Sequence, residues 1–176
     1  MNLAATLLER GRDDATALVA DGVPMTYAEL RRTVAQAAGA WRTMGVNPGD
    51  RVAVALADDA AWVAAFLGAI FRGAVAVALN PMLAPGERDA LAAQGRYAAW
   101  LGEDGAAAPA TVANTVSRSA WRARVDAAAA ATVATCCSVS RSSKAGWTAR
   151  AAHTRRYSIL LVQRRARRVL IPVPAR

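Results

Sequence analysis

Cysteine, histidine and aromatic residues are scarce in this sequence. Its two cysteines, Cys136 and Cys137, are adjacent, so there is no disulfide framework and no ligand spacing for a structural metal. A single histidine, His153, excludes a site built from several histidines. Aromatic residues make up 6% of 176 positions, so a core has to be assembled mainly from valine, leucine and alanine. The hydrophobic fraction of 55% excludes a wholly disordered chain, although 46 alanines inflate it and bury little surface each. The length suits one domain, or one small domain and a tail.

Acidic residues are missing from one end. Residues 1–104 hold 9 Arg against 12 Asp and Glu, whereas residues 105–176 hold 12 Arg and Lys144 against Asp126 alone. The net charge of +9 and the pI of 11.1 therefore describe the second part and not the first. The organisation expected from this shift is an ordered segment 1–104, an Ala-rich linker 105–135 and an Arg-rich tail 136–176 that is disordered or out of frame. The start Met1-Asn2-Leu3 has no basic segment before an apolar run, with Glu9 and Arg10 soon after, so it does not read as a secretory signal. The most apolar stretch, 60–79, carries Arg72 and Gly73 near its middle. A central arginine costs about 2.5–3.5 kcal/mol on insertion scales, and a buried helix followed by a buried strand explains the stretch better. The chain is expected to be cytoplasmic.

Periodicity in the first part alternates between helix and strand. Leu3, Leu7 and Leu8 predict one face of a short helix closed by Gly11, and the run 16–20 ends at Asp21-Gly22, a hairpin turn pair. Thr26 and Glu29 have capping-box spacing. Behind them Tyr27, Leu30, Val34, Ala37, Ala38, Trp41 and Met44 form one helical stripe, with Gly45 ending it as the C-cap residue. After the turn Asn47-Pro48-Gly49-Asp50, the run 51–56 reads as a strand buried on both faces. A helix capped by Asp58 or Asp59 runs to Gly73. A second buried strand follows at 74–79, then a helix from Pro85 through Leu91 and a third strand at 97–101. Strand, helix and strand in alternation mean βαβ units in a parallel sheet. The fold class is α/β.

In this order and spacing, several segments resemble the AMP-forming acyl- and aryl-CoA synthetases of the adenylate-forming superfamily, and most closely the benzoate-CoA ligase branch. They are Met25-Thr26-Tyr27-Ala28-Glu29-Leu30, Met44-Gly45-Val46-Asn47-Pro48-Gly49-Asp50-Arg51-Val52-Ala53, Phe66-Leu67-Gly68-Ala69-Ile70 with Gly73, and Leu79-Asn80-Pro81-Met82-Leu83. The resemblance covers residues 1–104 and implies part of the large N-terminal domain. It implies a family that uses ATP and Mg to activate a small carboxylic acid and coenzyme A to accept it. It also implies a Ser/Thr/Gly-rich phosphate loop ending Pro-Lys-Gly, which would fall near residues 130–150. The stretch Cys136-Cys137-Ser138-Val139-Ser140-Arg141-Ser142-Ser143-Lys144-Ala145-Gly146 lacks its Gly-Thr-Thr-Gly and Pro-Lys-Gly elements. Without those glycines a backbone cannot come close to phosphate oxygens. His153-Thr154 matches a pair that often follows that loop in the aryl branch.

No catalytic, cofactor-binding or metal-ligating residue is assigned, and no cofactor is expected on this fragment. Tyr27, Gly45, Pro48 and Gly49 read as capping, turn and core positions. Residues 127–176 hold 9 Arg and neither Asp nor Glu. An Arg-rich, Ala-rich chain of this kind is what GC-rich DNA gives out of frame, so the expectation is a truncated, frameshifted and inactive synthetase. Two other roles stay open. Arg164-Arg165-Ala166-Arg167-Arg168 could hold nucleic acid without sequence preference, although only Tyr157 is near for stacking. Exposed apolar faces could bind a partner protein or drive self-association.

Overall fold

The structure, a computed structural model, describes the backbone of residues 2–142 and side-chain surroundings as far as residue 131. Helix α1 (Leu3–Glu9) leads into the hairpin β1 (Thr16–Ala20) and β2 (Val23–Thr26). Asp21 and Gly22 take positive φ in its two-residue turn, as the Asp-Gly pair predicts. Helix α2 (Tyr27–Thr43) begins at the expected capping box. The Thr26 hydroxyl accepts the Glu29 amide, and the Glu29 carboxylate accepts the Thr26 amide at 2.8 Å. Thr26→Ala is expected to cost about 1 kcal/mol, read as a fall in the urea midpoint.

A four-stranded parallel sheet follows in the order β4-β3-β5-β6. β3 is Arg51–Ala55, β4 is Val75–Ala78, β5 is Ala99–Gly102 and β6 is Thr115–Ser117. Helix α3 (Ala60–Arg72) links β3 to β4, and α4 (Pro85–Gly95) carries the chain back past β3 to β5. Asp59 caps α3 through the Trp62 amide, and Gly73 closes it in the left-handed region at φ 89°. One sheet face packs Val52, Val54 and Leu101 against Trp41, Ala65 and Ala69. The other packs Ala53, Ala55 and Trp100 against Ala92 and Val112. β3 thus faces apolar layers on both sides, as its unbroken apolar run requires.

Four features differ from the sequence reading. In α1 the buried pair is Ala4 and Leu8, while Leu3 and Leu7 are exposed, because the short helix sits one position round from its leucine-only face. In α2 the C-cap is Met44, with Gly45 the left-handed residue after it. β4 was read as fully buried; it is an edge strand, with Val75 50% exposed, because it pairs on one side only among the described residues. The stretch 105–135 was read as a linker. It contains β6, paired in parallel with β5, and the start of helix α5 (Arg118–Ser142). Trp121 of α5 is buried with its ring centroid 4.3 Å from that of Trp41. Met1–Cys136 form one compact unit. The basic tail beyond it, with Arg164–Arg168 and His153, lies outside the described residues. Among the described residues no helix is long and apolar enough to cross a membrane.

Candidate functional site

In open α/β sheets ligands bind outside the carboxyl ends of the strands, where successive connections leave in opposite directions. Here that point lies between β3 and β5: the chain leaves β3 toward β4 and returns to β5 on the other flank. The residues that the topology brings there are Ala57 just past β3, Asp59 at the start of α3, Glu103 just past β5 and Arg118 just past β6. Arg118 donates to Asp59 and to both oxygens of Glu103, at 2.9 and 3.2 Å in the latter case. Glu103 also accepts the Ala57 amide at 2.7 Å. These side chains are each about a quarter exposed or less.

A cavity of about 230 Å³ opens beside this cluster, lined by Trp100, Glu103, Ala107 and Ser117 among others. Drug-sized ligands occupy pockets of roughly 300–1,000 Å³. The cavity is small for an adenylate, and the charged side chain on its wall is a carboxylate, which repels phosphate. Of the cations beside it, Arg118 is paired with two acids and Arg88 donates to the Ala107 carbonyl on the cavity wall. The residues at this point therefore do not fit ATP. They fit a fastener that ties the ends of β3, β5 and β6 to the starts of α3 and α5.

Next to it, Asp104 accepts the Ser119 amide at 2.9 Å. That bond first, and then the Ser119 and Ser117 hydroxyls, hold its carboxyl below the usual range. Glu29 is held low in the same way, first by the Thr26 amide and then by the Thr26 hydroxyl. A carboxyl depressed on folding stabilises the fold above its unfolded pKa, about 4, and that stability is lost as pH falls through the folded value. The melting temperature should therefore drop below about pH 4, and Glu29→Gln with Asp104→Asn should flatten that drop. An unchanged acid limb in the double variant would contradict this assignment.

The segments that carry the family resemblance occupy structural positions. Tyr27 starts α2. Asn47 and Asp50 close a turn through the Asn47 amide and Asp50 carboxylate at 2.7 Å, and the Gly49 amide bonds the Gly73 carbonyl at 2.8 Å. Gly68 is the contact point of α3 on α2. Among the described residues no group of three or more His, Cys, Asp or Glu could hold a metal ion. The expected phosphate-loop position, 136–146, lies outside the residues whose side chains are described. The Asp59–Glu103–Arg118 cluster was missed in the sequence reading, since its members are far apart in the chain and join only through the sheet order.

Comparison with known proteins bears on the same residues. The model of the AMP-binding enzyme family matches residues 7–164. The 3-hydroxybenzoate–CoA ligase of Aromatoleum sp. (strain CIB) is 42% identical over 78 residues, covering 44% of this chain and 15% of the relative. The benzoate–CoA ligase of Thauera aromatica is 39% identical over 74 residues, covering 42% of this chain and 14% of the relative. The crystal structure of a benzoate CoA ligase from Burkholderia xenovorans LB400 superposes with a TM-score of 0.62 at 26% identity, over 72% of this chain and 28% of that one. The chain thus spans about a seventh of the length of these curated relatives. Fold, motif order and both kinds of similarity agree: the chain belongs to the AMP-binding enzyme family, with the acid–CoA ligases as its relatives.

Proposed function

We propose that this chain forms the opening, structural part of an aromatic acid–CoA ligase and by itself activates no acid. The whole reaction is ATP-dependent, AMP-forming activation of a carboxylic acid followed by transfer to coenzyme A. Aromatic acids are favoured as substrates because similar proteins include hydroxybenzoate– and benzoate–CoA ligases. The observation that carries the reading is where the family's residues fall. Thr26, Tyr27, Asn47, Asp50 and Gly68 are occupied with caps, a turn and helix contact, and the stretch 136–146 has neither Gly-Thr-Thr-Gly nor Pro-Lys-Gly. Titration of the purified chain with Mg–ATP in a calorimeter should give no saturable heat. Saturable binding at micromolar ATP would overturn the reading.

The basic tail is proposed to be an out-of-frame product. The abrupt change from an acidic to a basic composition supports this. Trp121 packing on Trp41, and the Asn114 amide donating to the Met44 carbonyl at 2.7 Å, favour a change of register after residue 121. Sequencing the coding DNA from codon 100 and translating its three forward frames tests the point. A Gly-Thr-Thr-Gly-x-Pro-Lys-Gly run in another frame is the expected result. If no frame holds it, the tail is an in-frame part of the family match, which extends to residue 164.

A further inference from the structure

We propose that residues 114–131, strand β6 with the start of α5, form a strap that lifts off the sheet as one unit while the rest stays folded, and that Arg118 is its clasp. β6 lies at an edge of the sheet and pairs with β5 alone among the described residues. Val116 of β6 and Trp121 of α5 are the buried apolar side chains of this stretch, and Val125 is half-buried against the same core. Ala128 lies over Gly39, a contact between small residues, while Arg122, Arg124 and Asp126 face solvent. Segments with few buried apolar contacts open at a lower free energy than the core they rest on.

The surface under the strap keeps bonds of its own. Trp41, which Trp121 covers at 4.3 Å between ring centroids, donates its indole N–H to the Ala65 carbonyl. β5 is paired with β3 on its inner side, and α2 packs on α3 at Gly68. The two acids that receive the clasp are held from behind as well. Asp59 accepts the Trp62 amide at 2.9 Å with one oxygen and Arg118 with the other, and Glu103 accepts the Ala57 amide at 2.7 Å. Neither carboxylate loses every partner when Arg118 leaves, which lowers the penalty that breaking a partly buried ion pair ordinarily carries.

The pivot falls at Ala113, which is exposed. Before it, Pro109 and Val112 are buried, Val112 together with Ala92 and Trp100, and Arg88 donates to the Ala107 carbonyl. After it, the attachments besides the β5 ladder and the apolar side chains are polar. The Asn114 side chain donates to the Met44 carbonyl, the Ser119 amide to Asp104, and Arg118 to Asp59 and Glu103. Arg118 sits where β6 passes into α5, so one side chain fixes both elements. Its ion pairs are partly open to water, which makes the clasp sensitive to salt. Opening uncovers Trp41 and the outer edge of β5.

Hydrogen exchange of the full chain tests this, read by mass spectrometry in peptides covering residues 114–131, β3 and α3. In the wild-type chain residues 114–131 should exchange at least tenfold faster than β3. Arg118→Gln should speed exchange in that stretch at least fivefold further and leave β3 and α3 within twofold. Trp121→Ala, which alters α5 alone, should speed β6 as much as α5. Raising sodium chloride from about 0.05 to about 0.5 M should speed the strap of the wild-type chain at least threefold and that of Arg118→Gln not at all. The wild-type salt response keeps the test intact should a variant fold poorly. Equal exchange of the strap and β3, or acceleration spread over β3 and α3 in Arg118→Gln, would show that these residues open only with the whole fold. Acceleration of α5 without β6 in Trp121→Ala would reduce the strap to a fraying helix. A strap indifferent to salt and to Arg118→Gln would remove Arg118 as its clasp.

Discussion

Trp41→Ala should remove about 3–5 kcal/mol of stability, a large share of the roughly 5–15 kcal/mol that a domain of this kind has. Trp41 is fully buried at the junction of α2, α3, the sheet and α5, in a core that otherwise consists largely of alanine and valine. Its ring lies tilted against Trp121 at 4.3 Å between centroids, and its indole Nε1 donates to the Ala65 carbonyl at 2.9 Å. Small neighbours cannot close over the space left by an indole, so the cavity term adds to the lost transfer energy. Trp41→Phe keeps most of the ring and loses the hydrogen bond, and should cost about 1–2 kcal/mol. Urea denaturation followed by circular dichroism separates the two. A loss under about 1.5 kcal/mol for Trp41→Ala would mean that the α2–α5 junction is not the centre of the core.

Gly68→Val should be the second large effect, with a loss of about 3 kcal/mol, and Gly68→Ala a smaller one of about 1–2 kcal/mol. A Cβ at Gly68 would lie 2.7 Å from the Ala37 Cβ and 3.0 Å from the Ala38 backbone nitrogen, so α2 and α3 would have to separate. Helix propensity points the other way, since alanine is favoured over glycine in a helix interior by about 1 kcal/mol. The sign of Gly68→Ala therefore decides between propensity and packing. Adding Ala37→Gly opens the space and should recover part of the loss, giving a coupling of about 1 kcal/mol in a double-mutant cycle. A stabilising Gly68→Ala would show that the helices are free to move apart.

The elements legible in the sequence were those whose signals are local. The Thr26–Glu29 box, the Asp21-Gly22 turn and the Gly73 terminator each depend on residues within four positions and stand as read, and of the two cap candidates Asp58 and Asp59 it is Asp59 that caps α3. β4 shows the limit of that kind of reading. An unbroken apolar run reports a strand suited to burial, but sheet position depends on what pairs with it, and that is not written in the strand. β6 has one aliphatic residue, Val116, between two hydroxyl residues, so its alternation is too short to separate from the alanine-rich sequence around it. α5 is concealed for a related reason: alanine on every side blurs its face, and Trp121 is its one large buried anchor among the described residues. In the sequence Asp59 reads as a cap candidate alone, and nothing local singles out Arg118 or Glu103. They become a cluster once the order β4-β3-β5-β6 places the ends of β3, β5 and β6 together.

We propose that these residues carry the fold of an acid–CoA ligase segment and none of its adenylation chemistry. Acid-dependent exchange of labelled pyrophosphate into ATP tests it most directly, with benzoate, 3-hydroxybenzoate and 4-hydroxybenzoate offered to the full chain in the presence of Mg. Exchange at the level of the no-acid blank is expected for every acid. Exchange that rises with acid concentration and saturates would contradict it, and would place a working phosphate site within residues 1–176.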